Sequence, residues 1–436
     1  MTKKNELIII SLLSVAAIIL GRQAALNPVG LPLYLAVGLF VIIVSLINIK
    51  FALCLLVMSM LLSPEISLAQ VPSRAVVVRF DDLILILIFF VWLAKTAINR
   101  ELPLIKATPL NKYIFCYLGA CYIFTLKGVI TGDVNFMKSF FYLLKYTEYF
   151  ILFWMVYNVI QTKKDIKLLM TYATVTAIIV IIYGYMQTGR VVPPFDTENN
   201  SMGGYLTIVV SVAMGALIYH PSKKIKWMSL LIFLLCIPIF IRTISRASYM
   251  AFIASYISLI LISKKARVLL LIFGITSVLL APVVIPRTVF ETLVNRVNYT
   301  FSGEYGELGL DPSGAARIIS WKDKLKNHWP KHPLIGWGIT GIGFIDSMYV
   351  RTFVEIGFIG FAAFIFMLYG IFRESRKIFV AIDDPVGKTL SIGLLAAFTG
   401  LLVHALTSNT FIIVRIMEPF WFLMAIVMAL PKIGKA

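Results

Sequence analysis

Six arginines, Arg22, Arg74, Arg79, Arg190, Arg242 and Arg246, stand in short polar stretches between apolar runs. A guanidinium is planar and carries a rigid fork of donors. It therefore binds phosphate or carboxylate bidentately, where lysine acts as a point charge. Arg242 and Arg246 lie four apart in IRTISRASYM, so a continued helix would stack them on one side. Beside Ser245 and Ser248 they suit an anion clamp, and the plainer alternative is snorkelling towards lipid phosphates. Arg190 lies in QTGRVVPPFDTENNSMGGYL, where Pro193, Pro194 and the Asn199–Asn200 pair stop one helix and open the next. Asn200 is a candidate ligand there, or Asn200 or Ser201 is an N-cap.

A second group of polar residues falls late in the chain. Segment 313–327, SGAARIISWKDKLKN, has the spacing of an amphipathic helix, with Ile318, Trp321 and Leu325 on its apolar side. Segment 330–344, PKHPLIGWGITGIGF, is too rich in Gly and Pro for a helix and reads as a shaped loop. Asp346 follows, either as a carboxylate that orients or deprotonates a hydroxyl, or as the N-cap of a helix beginning at Ser347. Arg351 and Glu355 are four apart and pair on a helix face; Glu355 enters an apolar run, where an ionisable group is costly. Lys145 with Glu148, and Arg415 with Glu418, are three apart and read as pairs within apolar runs, and His404 lies near the end of another. Asp81 and Asp82 read as a carboxylate pair for a metal or as ordinary partners of a helix N-terminus.

The elements that position these groups must be membrane helices. Of 436 residues, 60% are hydrophobic and 14% charged, the composition of an integral membrane protein. Lipid offers no partner to an open backbone, so each long apolar run is a helix. The hydropathy reads as about fourteen spans, at 7–20, 31–48, 51–63, 83–94, 113–130, 140–160, 168–186, 202–219, 227–241, 247–262, 268–285, 354–372, 389–406 and 410–430. The first, with its basic flank, reads as a retained signal anchor. Lysines such as Lys50, Lys95, Lys163, Lys164, Lys223, Lys224, Lys264, Lys265 and Lys377 follow the even-numbered spans. The positive-inside rule then places those loops and both termini in the cytoplasm, and the one long connection, 286–353, outside. The expected organisation is helices 1–11 in residues 1–285, the extracytoplasmic loop with short helices in 286–353, and helices 12–14 in 354–436.

Several function classes are excluded. The net charge of +19 reflects the cytoplasmic lysines, not a nucleic-acid partner. Cys54, Cys116, Cys121 and Cys236 lie within apolar runs and have no metal-site spacing. No P-loop, GxSxG or HExxH motif is present. Matched inverted halves, expected of a transporter, are absent.

Arg317 and Trp321, then HPLIGWGITGIGF (332–344), Asp346, Tyr349, Glu355, Gly357 and Gly360, resemble the signature region of the O-antigen ligase and Wzy-type polymerase superfamily. That pattern runs R-x(3)-W, HP-x-x-G-x-G, H/D-N-x-Y and E-x-G-x-x-G. SRASYMAF (245–252) is similar to its S-R-[GA] helix start, and GRVVPPFDTENNSMGGYL (189–206) to its G-R…F-x-x-x-N stretch. The resemblance implies an all-α, GT-C-like polytopic bundle of about 12–14 transmembrane helices. It implies transfer of undecaprenyl-diphosphate-linked glycan at the outer face of the bacterial plasma membrane, inverting and without metal or other cofactor. Asp346, Arg246 and Arg317 would be catalytic. Arg190, Arg242, Asn200, Tyr349, Arg351, Glu355 and Trp321 would bind substrate. The lipid-linked glycan serves as donor and acceptor, with membrane lipid and a chain-length regulator protein as further partners. Ligases of this superfamily carry a His in the loop where this chain has Asp346, and Ser347 replaces the usual Asn. That departure favours a polymerase over a ligase that delivers the glycan to a lipid or protein. A flippase for the same lipid-linked units is the non-enzymatic alternative, and it would need charged groups at mid-membrane depth.

Overall fold

A computed structural model describes residues 31–71, 74–98, 106–284 and 309–433, with isolated positions between 287 and 299. The expected span 7–20, with Arg22, lies outside the described residues, as does most of 286–308. The described chain runs α1 (Leu31–Ile47), α2 (Ile49–Leu62), β1 (Glu65–Val71), β2 (Arg74–Arg79), α3 (Phe80–Ile98), α4 (Asn111–Ile130), α5 (Phe136–Val159) and α6 (Lys163–Met186). It continues with α7 (Asn199–Tyr219), α8 (Lys223–Arg242), α9 (Arg246–Ile262), α10 (Arg267–Val284), α11 (Pro312–Asp323), α12 (Met348–Glu355), α13 (Gly357–Ala381), α14 (Pro385–His404) and α15 (Val414–Ile433). Each expected span from 31–48 onward overlaps a single one of these helices, except that at 354–372. Seven of them, α4, α6, α7, α8, α13, α14 and α15, are long and apolar enough to cross a membrane. The chain is an all-α multi-pass membrane protein.

Two features depart from the expectation. Residues 65–79 form an antiparallel hairpin, with Glu65 opposite Arg79 and Val71 opposite Arg74. The span expected at 354–372 is broken: α12 ends at Glu355, and α13 begins after Ile356 at Gly357, whose φ is +66°.

The chain forms two compact units. The smaller comprises residues 1–106 and 158–176. Within it Asn48 caps α2, accepting from Lys50 N at 3.0 Å, and Lys50 Nζ pairs with Asp165 at 2.7 Å. Asp81 accepts from Ser63 Oγ at 2.6 Å and Asp82 from Arg79 N at 2.9 Å. Both acids stand in the first turn of α3, where the helix dipole favours a carboxylate.

The larger unit comprises residues 107–157 and 177–436. Its centre is α7, α9 and α14. Lipid gives packed helices no hydrophobic reward over lipid contact, so close approach through small residues supplies the attraction. A Cβ on Gly215 would stand 2.6 Å from Thr389 O, and one on Gly393 would stand 2.8 Å from Val212 Cα. The backbones of α7 and α14 therefore touch. Asp384 and Pro385 fix where α14 begins: Pro385 occupies the first turn, and Asp384 Oδ2 accepts from Gly387 N at 2.9 Å. On the other side, Trp421 of α15 meets Phe150 and Phe153 of α5 edge-on, with ring centroids 4.8 and 5.6 Å apart. Lys145 and Glu148 form the expected pair on α5, at 3.9 Å.

Gly215→Ala should cost about 1–3 kcal/mol, because the added methyl meets backbone oxygen that cannot rotate away. A lowered thermal-unfolding midpoint in detergent is the expected reading; an unchanged midpoint would mean that α7 and α14 separate freely.

Candidate functional site

The late polar segment is built on α11. Asp311 caps it, accepting from Gly314 N at 3.1 Å, and Pro312 occupies the first turn. Arg317 and Trp321, four apart, then project from one face. Both reach Asp346. Arg317 Nε lies 3.1 Å from Asp346 Oδ2, and Trp321 Nε1 donates to the Asp346 carbonyl. The indole is also packed against a small core of Ile342, Ile345 and Val354. The Arg317–Asp346 pair stays about one quarter exposed, at 25% and 29% of the two side chains.

Asp346 is not an N-cap. That role belongs to Ser347, whose Oγ accepts from Val350 N at 3.4 Å and whose φ is +108°. The unusual backbone at Ser347 is held from both sides. Met348 N donates to Ala405 O at 3.0 Å and to Ser408 O at 3.2 Å, and Asn409 Nδ2 donates to Ile345 O at 2.7 Å. With capping done by its neighbour, the Asp346 carboxylate is turned to Arg317.

The Gly-Pro loop, residues 332–344, is fastened to the break between α12 and α13. Phe358 N donates to Pro333 O at 2.9 Å, Ile359 N to Leu334 O at 3.0 Å, and Gly338 N to Glu355 O at 2.7 Å. Gly336 has φ +67°, and a Cβ there would stand 2.3 Å from Glu355 O, so only glycine fits. The far side of the loop rests on α4 and α5: Ile339 N donates to Thr125 Oγ1 at 3.1 Å, and Ser139 Oγ donates to Ile339 O at 3.0 Å. His332 meets Trp337 edge-on and lies 3.3 Å from Lys127 Nζ. Lys127 in turn pairs with Asp133 at 3.0 Å. The Thr131 hydroxyl, and then Lys127, hold Asp133 below the usual carboxylate range.

Arg351 and Glu355 form the expected pair, Nε to Oε2 at 3.1 Å, and both are buried. Glu355 Oε1 also accepts from Thr340 N at 3.0 Å. This carboxylate therefore ties α12 to the Gly-Pro loop. The Tyr349 hydroxyl donates to Leu402 O at 2.8 Å, so it fastens α12 to α14.

The earlier arginines divide into two kinds. Arg242 ends α8 and Arg246 begins α9, with Ile244 at φ +51° between them, so they do not stack on one continuous helix. Arg242 donates to the carbonyls of Gln187, Gly184 (3.4 Å) and Gly189 (3.3 Å), at the end of α6. Arg190 does the reverse, donating to Thr243 O at 3.1 Å and Ile244 O at 3.3 Å beyond the end of α8. Two helix C-termini thus exchange guanidinium caps. A C-terminus leaves carbonyls without helical partners and carries a partial negative charge, so a cation suits it doubly. Arg246 points elsewhere: Nη1 pairs with Asp311 Oδ1 at 2.7 Å, joining the start of α9 to the start of α11. Arg415, buried on α15, turns to Asp196 at 3.3 Å and to Phe195 O at 3.1 Å.

The structure thus joins Arg317 and Trp321 of α11 to Asp346, and holds Arg246 at the start of the same helix through Asp311. Arg190 and Arg242 form a separate capping pair, and Tyr349, Arg351 and Glu355 form the support beneath Asp346. Asn200 is not the N-cap of α7; its Oδ1 accepts from Ser245 Oγ at 2.7 Å, next to Arg246. Sequence reasoning did not foresee Ser347 as the cap, nor the link of Ser248 to His404 and Thr410. Ser248 Oγ lies 3.3 Å from His404 Nε2, and His404 Nδ1 lies 2.8 Å from Thr410 Oγ1, all buried. The signal available was the isolated His404 near a span end; its partners are 156 and 6 residues away.

Removing one member of the buried pair should be worse than removing both. Glu355→Ala should cost about 3–5 kcal/mol, because it strands the Arg351 charge. Arg351→Met with Glu355→Leu should cost much less, and thermal unfolding would compare them. A double variant as damaged as Glu355→Ala would mean that the stranded charge is not the cause.

Comparison with known proteins bears on residues 231–365, which match the family described as O-Antigen ligase. No curated protein matches the chain. The matched stretch runs from within α8 to within α13, and so contains Arg242, Arg246, Arg317, Trp321, Asp346, Arg351 and Glu355. The match supports the O-antigen ligase and Wzy-type superfamily for residues 231–365, and with it glycosyl transfer of the ligase or polymerase type.

Proposed function

We propose that this chain is a polysaccharide polymerase. It joins undecaprenyl-diphosphate-linked repeat units at the outer face of the bacterial plasma membrane, in the assembly of an exopolysaccharide, capsule or O-antigen. The observation that carries the reading is the partly exposed Arg317–Asp346 pair within the matched domain. Arg317 uses only Nε on Asp346; its two terminal nitrogens engage nothing among the described residues. A guanidinium fixed by one nitrogen, with a fork still available, suits a phosphate oxygen.

The second cation lies along the same helix. Asp311, which holds Arg246, precedes Arg317 by six residues, about 9 Å along a helix axis at 1.5 Å per residue. A lipid diphosphate that reached both guanidiniums would be held by two cations. In the reaction, an acceptor hydroxyl oxygen attacks C1 of the donor sugar opposite the diphosphate. The new C1–O bond forms as the C1–O(phosphate) bond breaks, and the configuration at C1 inverts. The diphosphate leaves with the electron pair, its growing charge stabilised by the arginines. The hydroxyl proton passes to the Asp346 carboxylate. The cationic side chains supply the stabilisation, so the reading calls for no metal or cofactor. The product re-enters as acceptor or donor, with membrane lipid around the site and a regulator protein setting chain length.

The ligase reading stands second, favoured by the description of the matched family. Purified protein given lipid-linked repeat units alone separates the two. A ladder of lengths is expected; chains that never grow without a separate acceptor would overturn the polymerase. Delivery of substrate across proteoliposomes without any glycosidic product would point to a flippase. Arg317→Lys keeps charge but loses the fork, and should slow the ladder at least tenfold, as should Arg246→Lys. Asp346→Asn should slow it comparably, since capping, which Asn would preserve, is not its task. Near-normal ladders from all three variants would remove these residues from the reaction.

A further inference from the structure

A chain of hydrogen bonds runs from the turn between α14 and α15 to the start of α7. Its members are Thr410, His404, Ser248, Ser245 and Asn200, and all but Asn200 are buried. Thr410 Oγ1 lies 2.8 Å from His404 Nδ1, and His404 Nε2 lies 3.3 Å from Ser248 Oγ. Ser248 Oγ donates to Ser245 Oγ at 2.7 Å, and Ser245 Oγ donates to Asn200 Oδ1 at 2.7 Å. Gly203 gives the chain room, since a Cβ there would stand 1.9 Å from Ser248 Oγ.

Each hydroxyl has one proton, so the bonds must all run the same way. Ser245 Oγ is the N-cap of α9 and accepts from Ser248 N at 3.2 Å as well as from the Ser248 hydroxyl. Both its lone pairs are then used, and its own proton must go to an acceptor. Asn200 therefore shows Ser245 its oxygen and turns its NH2 group away. Upstream, Ser248 gives its proton to Ser245, so it must accept from His404, which is then protonated at Nε2. His404 Nδ1 in turn accepts from Thr410. The opposite His404 tautomer would reverse every bond and present the Asn200 oxygen in place of its N–H donors. Among the described residues the Asn200 amide nitrogen donates to nothing. It sits beside Ser245, the residue immediately before Arg246.

We propose that His404 is a positioning residue that, through Ser248 and Ser245, holds Asn200 with its N–H donors turned to phosphate oxygens bound beside Arg246. This rests on the lipid-diphosphate reading of the site. It adds a neutral donor to the guanidiniums, and it makes a buried histidine that never touches the ligand responsible for that donor's direction.

Binding of farnesyl diphosphate to the full chain in detergent tests it, by titration calorimetry. Asn200→Ala should weaken binding about tenfold, the order expected for one bond to a charged group. His404→Leu and Ser248→Ala should each weaken it by a similar factor. The deciding measurement is the double-mutant cycle. With Asn200→Ala already present, neither second change should weaken binding further. His404→Gln, whose amide can donate to Ser248 and accept from Thr410, should restore binding to within about twofold, the residual allowed by a weaker fit. Losses that multiply in the double variants would overturn the relay, as would full binding by Ser248→Ala. A wild-type chain that does not bind the diphosphate would bring down the lipid-diphosphate reading and the relay together; multiplying losses on top of tight wild-type binding would bring down the relay alone.

Discussion

Backbone groups that lose their helical partners must find others, and no part of this molecule escapes that constraint. Inside a membrane protein an orphaned carbonyl costs several kcal/mol, so helices can break only where something satisfies the break. The larger unit breaks its helices where the candidate site lies. At the ends of α6 and α8 the freed carbonyls take Arg242 and Arg190. Between α12 and α13 the Gly-Pro loop meets the exposed backbone with its own, through Pro333, Leu334 and Gly338. At the start of α12 Ser347 closes the first turn, and the 405–409 turn closes the rest.

Those repairs explain why polar chemistry is available at this end of the bundle. A continuous span through 346–372 would have buried Asp346 in a helix flank. The break at Ile356 and Gly357 makes α12 a separate short piece. Asp346 then lies ahead of its first turn, with its carbonyl held by Trp321 and its carboxylate by Arg317. The buried Arg351–Glu355 pair keeps this piece in place from below, because Glu355 grips the loop as well as Arg351.

What could be read from the sequence followed from how local the interaction is. The spans were readable because each is a run of apolar residues, and the Arg351–Glu355 pair because helix geometry alone brings i and i+4 together. Trp321 and Arg317 shared a helix face for the same reason. The arginine caps were not readable: Arg190 and Arg242 find their carbonyls 53 and 55 residues away, across packed helices. From sequence, two arginines near a turn look the same whether they await an anion or already serve a backbone. Ser347 was hidden by Asp346 beside it, since both residue types cap helices well. The hairpin at 65–79 was hidden because its alternation is weak and its neighbours are strongly helical.

The surviving arginines differ from the caps in what holds them. Arg190 and Arg242 give their nitrogens to carbonyls, which are neutral and fixed. Arg246 and Arg317 instead meet carboxylates, Asp311 and Asp346. At Arg317, which uses only Nε, the carboxylate partner orients the guanidinium while leaving its fork the affinity for a second anion. On the proposed function, it also lowers the local positive charge that a released diphosphate would have to leave. An enzyme of the proposed kind, which lets its leaving group go on every cycle, benefits from a cation that already has an anionic partner. On the same proposal, the neutral Asn200 amide adds direction without adding charge that product release would have to overcome.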